Sequence, residues 1–302
     1  RIRDALRGEK DSNPPDIEPN SDDEEAELEL DASLTFSRNE ILTNKDFEKM
    51  TSEELALAKQ AISRLKLPIN PIKSRRFTVG KHRGLVDAKT TMKASTRRGS
   101  DIIHLKYKQR KTVLPPIVVL CDISGSMEKY SRMLLHFLHS LTNDQNRVHS
   151  FVFGTRLTNI SRYLRFKDPD QALEKIGTKV DDWSGGTRIG SCLHDFNKNW
   201  SRRVLGQGAL VLLITDGLDR FGAEGVETEM ERLHKSSRKL IWLNPLLRYS
   251  EYEPLTKGAR AMINHVDELR SIHNLSSMSE LAKSLSNPHM NTKYIYDIKA
   301  KI

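Results

Sequence analysis

IVVLCDISGSM, residues 117–127, joins an apolar run to one carboxylate and two hydroxyls. An unbroken run of β-branched and aliphatic residues is typical of a strand that is buried on both faces, as in a parallel sheet. Gly125 permits the tight turn that brings Asp122, Ser124 and Ser126 together at the carboxyl end of this strand. Because ligands bind at that edge of open α/β sheets, we expect a ligand site there.

Strand and helix patterns alternate from residue 115 to residue 286. Strands separated by helices indicate right-handed crossovers, and therefore an α/β fold with a mainly parallel central sheet and helices on both faces. The strands are predicted at 117–121, 148–153, 209–215 and 239–243, with a polar ribbon near 157–160 and an edge strand at 261–263. The helices are predicted at 128–141, 169–176, 189–200, 227–234 and 278–285.

The rest of the chain divides by composition. Residues 1–43 carry many acids and several prolines with little aromatic content, so we predict an acidic, largely disordered tail. Residues 44–68 contain Thr51 as an N-cap followed by apolar residues at helical spacing, which predicts a helix that ends before Pro68. Residues 69–114 form a basic arm, and residues 287–302 form a C-terminal tail.

The basic arm, which lacks strong strand signals, has two interpretations. It is either a solvated arm whose arginines lie on surface carboxylates of the following domain, or a patch for an acidic partner, nucleic acid included. Phe77 and Tyr107, the aromatic side chains that could stack on bases, lie far apart in the sequence, which disfavours specific nucleic-acid binding. The acidic tail and the basic arm indicate either two partners or one internal contact.

Bulk properties exclude several classes of protein. The longest apolar run, at 209–215, is too short to span a membrane. Cys121 and Cys192 are expected to be buried, reduced thiols, and a zinc or iron–sulfur site built on cysteine is not expected. The sequence contains no Walker A motif, so ATP hydrolysis would belong to a partner. No secretory signal is visible, but the sequence begins with Arg1 and not with Met, so the sequence does not decide whether a segment precedes it.

Two further stretches supply oxygen ligands at the same sheet edge. WSGGTR, residues 183–188, presents Thr187 in a glycine turn before a helix, and LLITDG, residues 212–217, ends a buried strand at Asp216. Carboxylates and hydroxyls are hard ligands that suit Mg²⁺, Mn²⁺ or Ca²⁺. The predicted ligands, binding directly or through metal-bound water, are Asp122, Ser124, Ser126, Thr187 and Asp216.

Together these stretches resemble the metal-ion-dependent adhesion site (MIDAS) of von Willebrand factor A (VWA) domains, which have a Rossmann-like fold. The pattern is D-x-S-x-S, then a distant G-G-T, then T-D-G after a strand, with Thr215 standing where many relatives carry serine. Among VWA domains, the sequence most resembles the CoxE-like branch. The stretches that carry this likeness are FVFGTRLT (151–158), DWSGGTRIG (182–190) and IWLNPL (241–246). It covers roughly residues 70–286.

This resemblance implies a function. CoxE-like proteins are cytoplasmic partners of MoxR-type AAA+ ATPases, and some assist the maturation of molybdenum hydroxylases such as carbon monoxide dehydrogenase. It implies a non-enzymatic adaptor, in which an acidic side chain of the client or the ATPase completes the metal coordination. Trp183 and Arg188 flank the ligands. Trp183 is either a loop anchor or a partner contact, and Arg188 either attracts an acidic group or braces the loop.

Two other functions stay open on the residues alone. Asp122 beside a divalent ion could act as the nucleophile of a phosphoryl-transfer enzyme, although the sequence lacks a second acid at the alternate position and a clearly placed lysine. No G-x-S-x-G elbow surrounds Ser124 or Ser126, so a serine hydrolase is not expected. The basic arm could tether nucleic acid, and such binding would depend steeply on salt.

Overall fold

The computed structural model describes residues 40–80, 84–98, 104–145, 147–180, 183, 185–219, 222–249 and 252–286. By its contacts the chain divides into two units, residues 1–42 and 43–302. Only residues 40–42 of the first unit are described, and they are helical. The predicted acidic tail up to residue 39 and the C-terminal tail at 287–302 therefore lie outside the described residues. All other described residues belong to the second unit.

The second unit contains two sheets and a set of helices within the described residues. In chain order the strands are β1 (Ile72–Gly80), β2 (Leu85–Val86), β3 (Tyr107–Val113), β4 (Ile117–Asp122), β5 (Val148–Phe153), β6 (Leu157–Asn159), β7 (Leu210–Ile214), β8 (Lys239–Asn244) and β9 (Glu268–Ser271). The α-helices are α1 (Ser52–Arg64), α2 (Ala88–Arg98), α3 (Glu128–Asp144), α4 (Pro169–Lys179), α5 (Ile189–Asn199), α6 (Ser201–Val204), α7 (Val226–Ser236), α8 (Lys257–Ile263) and α9 (Leu275–Ser286). Short 3₁₀ turns occupy Phe47–Lys49, Gly125–Met127, Tyr163–Arg165 and Pro245–Arg248. None of the helices in the described residues is long and apolar enough to cross a membrane.

The central sheet has six strands in the order β6-β5-β4-β7-β8-β9. Every pairing is parallel except that of β5 with the short ribbon β6. All residues of β4 and β7 are buried, as expected for a parallel sheet covered on both faces. One continuous core joins alternate residues of these strands to α5, α7 and α8. The predicted α/β fold is confirmed, and Cys121 and Cys192 are buried free thiols as predicted.

One predicted strand is wrong. Residues 261–263 belong to helix α8, and the edge of the central sheet is instead β9, which pairs in parallel with β8. Thr256 caps α8 by accepting a hydrogen bond from the backbone amide of Ala259. The apolar triplet at 261–263 therefore lies in a short helix that packs on the core. A run of three residues is too short for its periodicity to distinguish a helix from a strand.

The basic arm forms regular structure that the sequence did not predict. Strands β1, β3 and β2 make a separate antiparallel sheet in that order, and helix α2 lies between β2 and β3 in the chain. We call these three strands the basic sheet. None of their residues is buried, and in α2 only Thr91 is buried among the residues whose side chains are described. Without a buried face, the strands carry too few alternating apolar residues for a sequence pattern to reveal them.

The segment before the basic sheet packs on the domain through α1. As predicted, Thr51 caps α1; its hydroxyl accepts a hydrogen bond from the Glu54 amide, and the Glu54 carboxylate accepts one from the Thr51 amide. Ala58 and Ile62 are the buried residues of this helix, which packs against α3.

A polar cluster holds the residues just before α1 in place. Asp46 accepts hydrogen bonds from Tyr130 on α3 (3.1 Å) and from Arg248 after β8 (2.7 Å). Glu48 accepts hydrogen bonds from Lys129 and Arg248, which together lower its pKa to about 2. We call these five residues the clasp. It joins the N-terminal segment to the first turn of α3 and to the loop after β8.

Candidate metal centre

Strands β4 and β7 lie side by side in parallel, which brings two predicted ligands to one edge of the central sheet. Cys121 pairs with Ile214 in this register. Asp122 is the last residue of β4, and Asp216 follows two residues after the end of β7. Both carboxylates are buried. The expectation that the two acids share a sheet edge is met by this register.

Asp122 is held by hydrogen bonds to both of its oxygens. The backbone amide of Ser124 donates to Oδ1 at 2.9 Å. The hydroxyl of Thr215 donates to Oδ2 at 2.7 Å. The side chain is fully buried, so these two donors fix its orientation in a water-poor environment.

The two serines follow Asp122 in a 3₁₀ turn that leads into α3. Their hydroxyl oxygens lie 3.3 Å apart. Ser124 is buried, whereas Ser126 is exposed and its hydroxyl also hydrogen-bonds to the Asp216 side chain. Ser126 therefore links the group of residues after β4 to the group after β7.

Thr187 is brought to this edge by its loop. The Gly125 amide donates to the Gly185 carbonyl at 3.2 Å, which ties the glycine turn to the turn that carries the serines. The Arg188 amide donates to the Gly154 carbonyl at 3.0 Å, which ties the same loop to the end of β5. Thr187 itself is buried.

The loop after β7 depends on a glycine. Gly217 has a φ of +79°, and a Cβ atom there would lie 3.0 Å from the Trp242 ring. The Trp242 indole donates to the Thr215 carbonyl at 2.8 Å. The Leu218 amide donates to Asp216 Oδ1 at 2.9 Å, which closes a turn around the carboxylate. The loop thus presents Asp216 while Trp242 packs beneath it.

The electrostatics of the edge favour a bound cation. Burial raises the pKa of Asp122 to about 7, against the hydrogen bond from Ser124, and the nearby Asp216 charge raises it further. Burial likewise raises the pKa of Asp216, and the hydrogen bond from Ser126 opposes this. No lysine, arginine or histidine in the described part of the chain forms an ion pair with either carboxylate. Two buried carboxylates without a cationic partner fit a divalent ion.

The donor set restricts which ion fits. The described residues hold no cluster of three or more His, Cys, Asp or Glu side chains placed to bind a metal. Any metal at this edge therefore relies on two carboxylates, hydroxyls and water. Oxygen donors of this kind suit hard cations such as Mg²⁺ better than soft ones.

The two residues predicted as partner contacts lie in different environments. Arg188 is exposed and immediately precedes α5. Trp183 is half-buried and lines a cleft of about 860 Å³ between α1, α3 and α4. Both stay predictions as partner contacts.

Thr215 makes a contact in the candidate site that the sequence did not reveal. From the sequence it is only a hydroxyl in place of serine, whereas in the structure it donates directly to Asp122. In the sequence, the T-D-G triplet is the feature that could have indicated this contact. A hydroxyl at the end of a buried strand, one position before a ligand, reaches the neighbouring strand when the two strands are parallel and adjacent.

Comparison with known proteins identifies a family. The family model described as VWA domain containing CoxE-like protein matches residues 59–278. A search of curated proteins finds no match.

Three solved structures illustrate the structural likeness. Proximal thread matrix protein 1 from the mussel byssus, with a zinc-occupied MIDAS motif, is 20% identical with a TM-score of 0.36. That match covers 57% of this chain and only 47% of the byssus protein. An aerotolerance-related membrane protein from Bacteroides fragilis is 15% identical over 58% of this chain and 99% of its own, with a TM-score of 0.37. BatB from Bacteroides thetaiotaomicron is 15% identical over 57% and 98%, with a TM-score of 0.36.

Proposed function

Because this chain belongs to the CoxE-like family of VWA-domain proteins, we propose that it is a divalent-metal-dependent adaptor that binds partner proteins and is not an enzyme. One observation carries the proposal. Asp122 and Asp216 are buried at one sheet edge, without an ion pair among the described residues, and are surrounded by hydroxyls. A divalent cation offsets the cost of burying these two carboxylates.

The residues that would hold the ion are Asp122, Ser124, Ser126, Thr187 and Asp216. Mg²⁺ is the ion best suited to this set, with Mn²⁺ or Ca²⁺ as alternatives of the same chemistry. Ser126, the exposed member of the set, lies on the side from which a partner would approach. The ion supplies one open position to which a carboxylate of a partner protein can bind as a charged ligand.

A ligand role for Asp122 accounts for its surroundings better than a nucleophilic role. Both of its carboxylate oxygens accept hydrogen bonds, and the side chain is fully buried. A nucleophile needs an oxygen that can approach a substrate. The sequence also has a serine, not a second acid, two positions after Asp122, and no lysine of the described residues forms an ion pair with Asp122. These features favour binding over phosphoryl transfer.

The family likeness extends the proposal to partners. We propose that the chain works in the cytoplasm with a MoxR-type AAA+ ATPase, and that together they act on a client metalloenzyme such as a molybdenum hydroxylase. The ATPase supplies the nucleotide hydrolysis, since the 302 residues contain no Walker A motif. The adaptor contributes the metal-dependent contact.

The test compares wild type with Asp122→Ala and with Asp195→Ala, a control that removes an exposed carboxylate from α5. Mg²⁺ at a hundredfold excess over its Kd should stabilise wild type and the control by about 2.7 kcal/mol, and Asp122→Ala by much less. The same proteins are then used in a pull-down with and without EDTA, and the retained proteins are identified. Partners should be lost with EDTA and with Asp122→Ala.

Two results would contradict the proposal. The first is partner retention that is equal in EDTA and in Mg²⁺. The second is a phosphatase or ATPase activity of the purified chain that disappears with Asp122→Ala and survives in Asp195→Ala.

A further inference from the structure

The basic sheet is unusual because it covers no core. An antiparallel sheet normally packs one face on other elements, and two or three strands without such packing are marginally stable. Here no residue of β1, β2 or β3 is buried. Helix α2 is also short and mostly exposed. Such elements gain stability when another surface covers them.

The strand register shows which side chains share a face. Val79 on β1 and Leu85 on β2 both pair with Lys108 on β3, and Phe77 pairs with Arg110. Directly opposed residues of antiparallel strands project to the same side of the sheet, as do residues two apart in one strand. These five residues therefore form one surface, which we call the basic face.

The basic face exposes large apolar side chains beside its cations. Val79 is 80% exposed, Leu85 61% and Phe77 45%. Lys108 Nζ lies 5.2 Å from the centre of the Phe77 ring. The face is thus a column of two cations on β3, with apolar side chains on either side. A surface that groups exposed apolar side chains around cations in this way is typical of an interaction site.

The charge of this region is largely uncompensated. Between residues 72 and 114 the sequence carries thirteen Lys and Arg and two Asp. Across the described residues of that range, none of the cations forms an ion pair with a carboxylate. Lysines often protect exposed strands from association, but that role does not require exposed Val, Leu and Phe between them.

We infer that the basic face is a docking surface for an acidic segment of a partner protein, one in which acidic and apolar residues alternate. Its acids pair with Lys108 and Arg110, and its apolar side chains cover Phe77, Val79 and Leu85. Charge complementarity and the exposed apolar groups together select this occupant. Nucleic acid fits less well, because the face offers one aromatic ring for stacking and Lys108 lies over it. The inference concerns a second contact, independent of the proposed metal.

The experiment measures binding of a fluorescein-labelled peptide of alternating Glu and Leu to the full chain, by fluorescence anisotropy. EDTA is present throughout, so that a metal-held carboxylate cannot contribute. The charge variant is Lys108→Glu with Arg110→Glu. Its matched control is Lys198→Glu with Arg202→Glu, which makes the same charge change at exposed positions on α5 and α6.

The expected result is a loss of affinity of about tenfold or more for the charge variant, and less than about twofold for the control. A second variant, Val79→Ser with Leu85→Ser, should weaken the peptide about threefold, because it removes exposed apolar area. Circular dichroism should show all three variants folded, since none of the altered side chains is buried.

Several outcomes would overturn the inference. Equal weakening by the control would mean that only net charge matters, and no effect of Val79→Ser with Leu85→Ser would mean that the apolar groups take no part. Tighter binding of oligothymidylate than of the peptide would assign the face to nucleic acid. A tenfold gain in peptide affinity on replacing Glu24, Glu25, Glu27 and Glu29 with Gln would assign it to the chain's own acidic stretch.

Discussion

Every residue of β4 and β7 in the central sheet is buried, whereas no residue of the basic sheet is. The central strands are runs of Val, Leu and Ile, and burying each such side chain contributes about 1.5–3 kcal/mol. The strands of the basic sheet have a hydrogen-bonded ladder but lack this term. The two sheets therefore serve different ends. Burial in the central sheet holds the proposed ligands in place, while exposure in the basic sheet leaves side chains available for contact.

The two regions also differ in how their charges are paired. In the central domain, cations such as Arg248 lie in ion pairs with buried or half-buried acids. In the basic sheet the described cations form no ion pair. Matched substitutions in the two regions can therefore test whether burial and charge pairing separate them.

The largest difference should appear on truncating one apolar side chain in each sheet. Leu213 on β7 is fully buried and Val79 on β1 is largely exposed. Leu213→Ala should lower the free energy of unfolding by about 2–5 kcal/mol, since it leaves a cavity. Val79→Ala should change it by less than about 0.5 kcal/mol. Urea denaturation measures both. A Val79→Ala cost comparable to that of Leu213→Ala would show that the basic sheet has a buried side after all.

The second difference concerns pH. The pKa of Asp122 is raised from its ordinary value of 3.8 to about 7, so the folded chain keeps a proton that the unfolded chain loses between these values. Stability from this group is present at low pH and falls as pH rises, by up to about 1.4 kcal/mol per pH unit between about 4 and 7. Asp122→Asn, measured in EDTA by denaturation across this range, should flatten the slope and leave the part due to Asp216, whose pKa burial also raises.

Asp87, beside the basic sheet, supplies the opposite control. Hydrogen bonds from Thr90 lower the pKa of Asp87, so its contribution is present above its ordinary pKa and is lost on acidification. Asp87→Asn should leave the slope between pH 4 and 7 unchanged. If Asp122→Asn and Asp87→Asn had the same effect, burial at the sheet edge would not be the cause.

The third and smallest difference should appear when an arginine is replaced in each region. Arg248→Met removes one of the two cations of the clasp, the one that pairs with the buried Asp46, which should cost about 1–3 kcal/mol. Arg110→Met removes a cation that has no ion pair, and should change stability by less than about 0.5 kcal/mol. Thermal unfolding monitored by circular dichroism compares the two. Similar shifts in Tm would contradict the distinction between paired and unpaired cations.

The central fold and the arrangement of its acids could be predicted from sequence because both depend on local patterns. A buried parallel strand has a sequence of consecutive apolar residues, and a candidate ligand at its end is a polar residue that directly follows this run. The strands around 117–122 and 210–214 therefore appeared with nearly their observed limits. Two adjacent parallel strands then bring Asp122 and Asp216 together without any further information.

The rest could not be predicted because it depends on contacts between distant segments. The clasp joins Asp46 to Arg248, which lie 202 residues apart, and no local pattern records such a pair. The hydrogen bond from Thr215 to Asp122 needs the register of β4 against β7. The basic sheet lacks a buried face, so its strands carry too few alternating apolar residues to be recognised. Residues 261–263 were too few to distinguish a helix from a strand.

The clasp has a mechanical consequence. Force applied to the chain upstream of residue 44 would load several contacts at once. The Asn44 carbonyl accepts a hydrogen bond from Asn274, and Asp46 and Glu48 are bonded to Tyr130, Lys129 and Arg248. Lys129 and Tyr130 lie three and four residues after Ser126. Part of any tension on the segment before α1 is therefore carried to the helix that begins beside the proposed ligands.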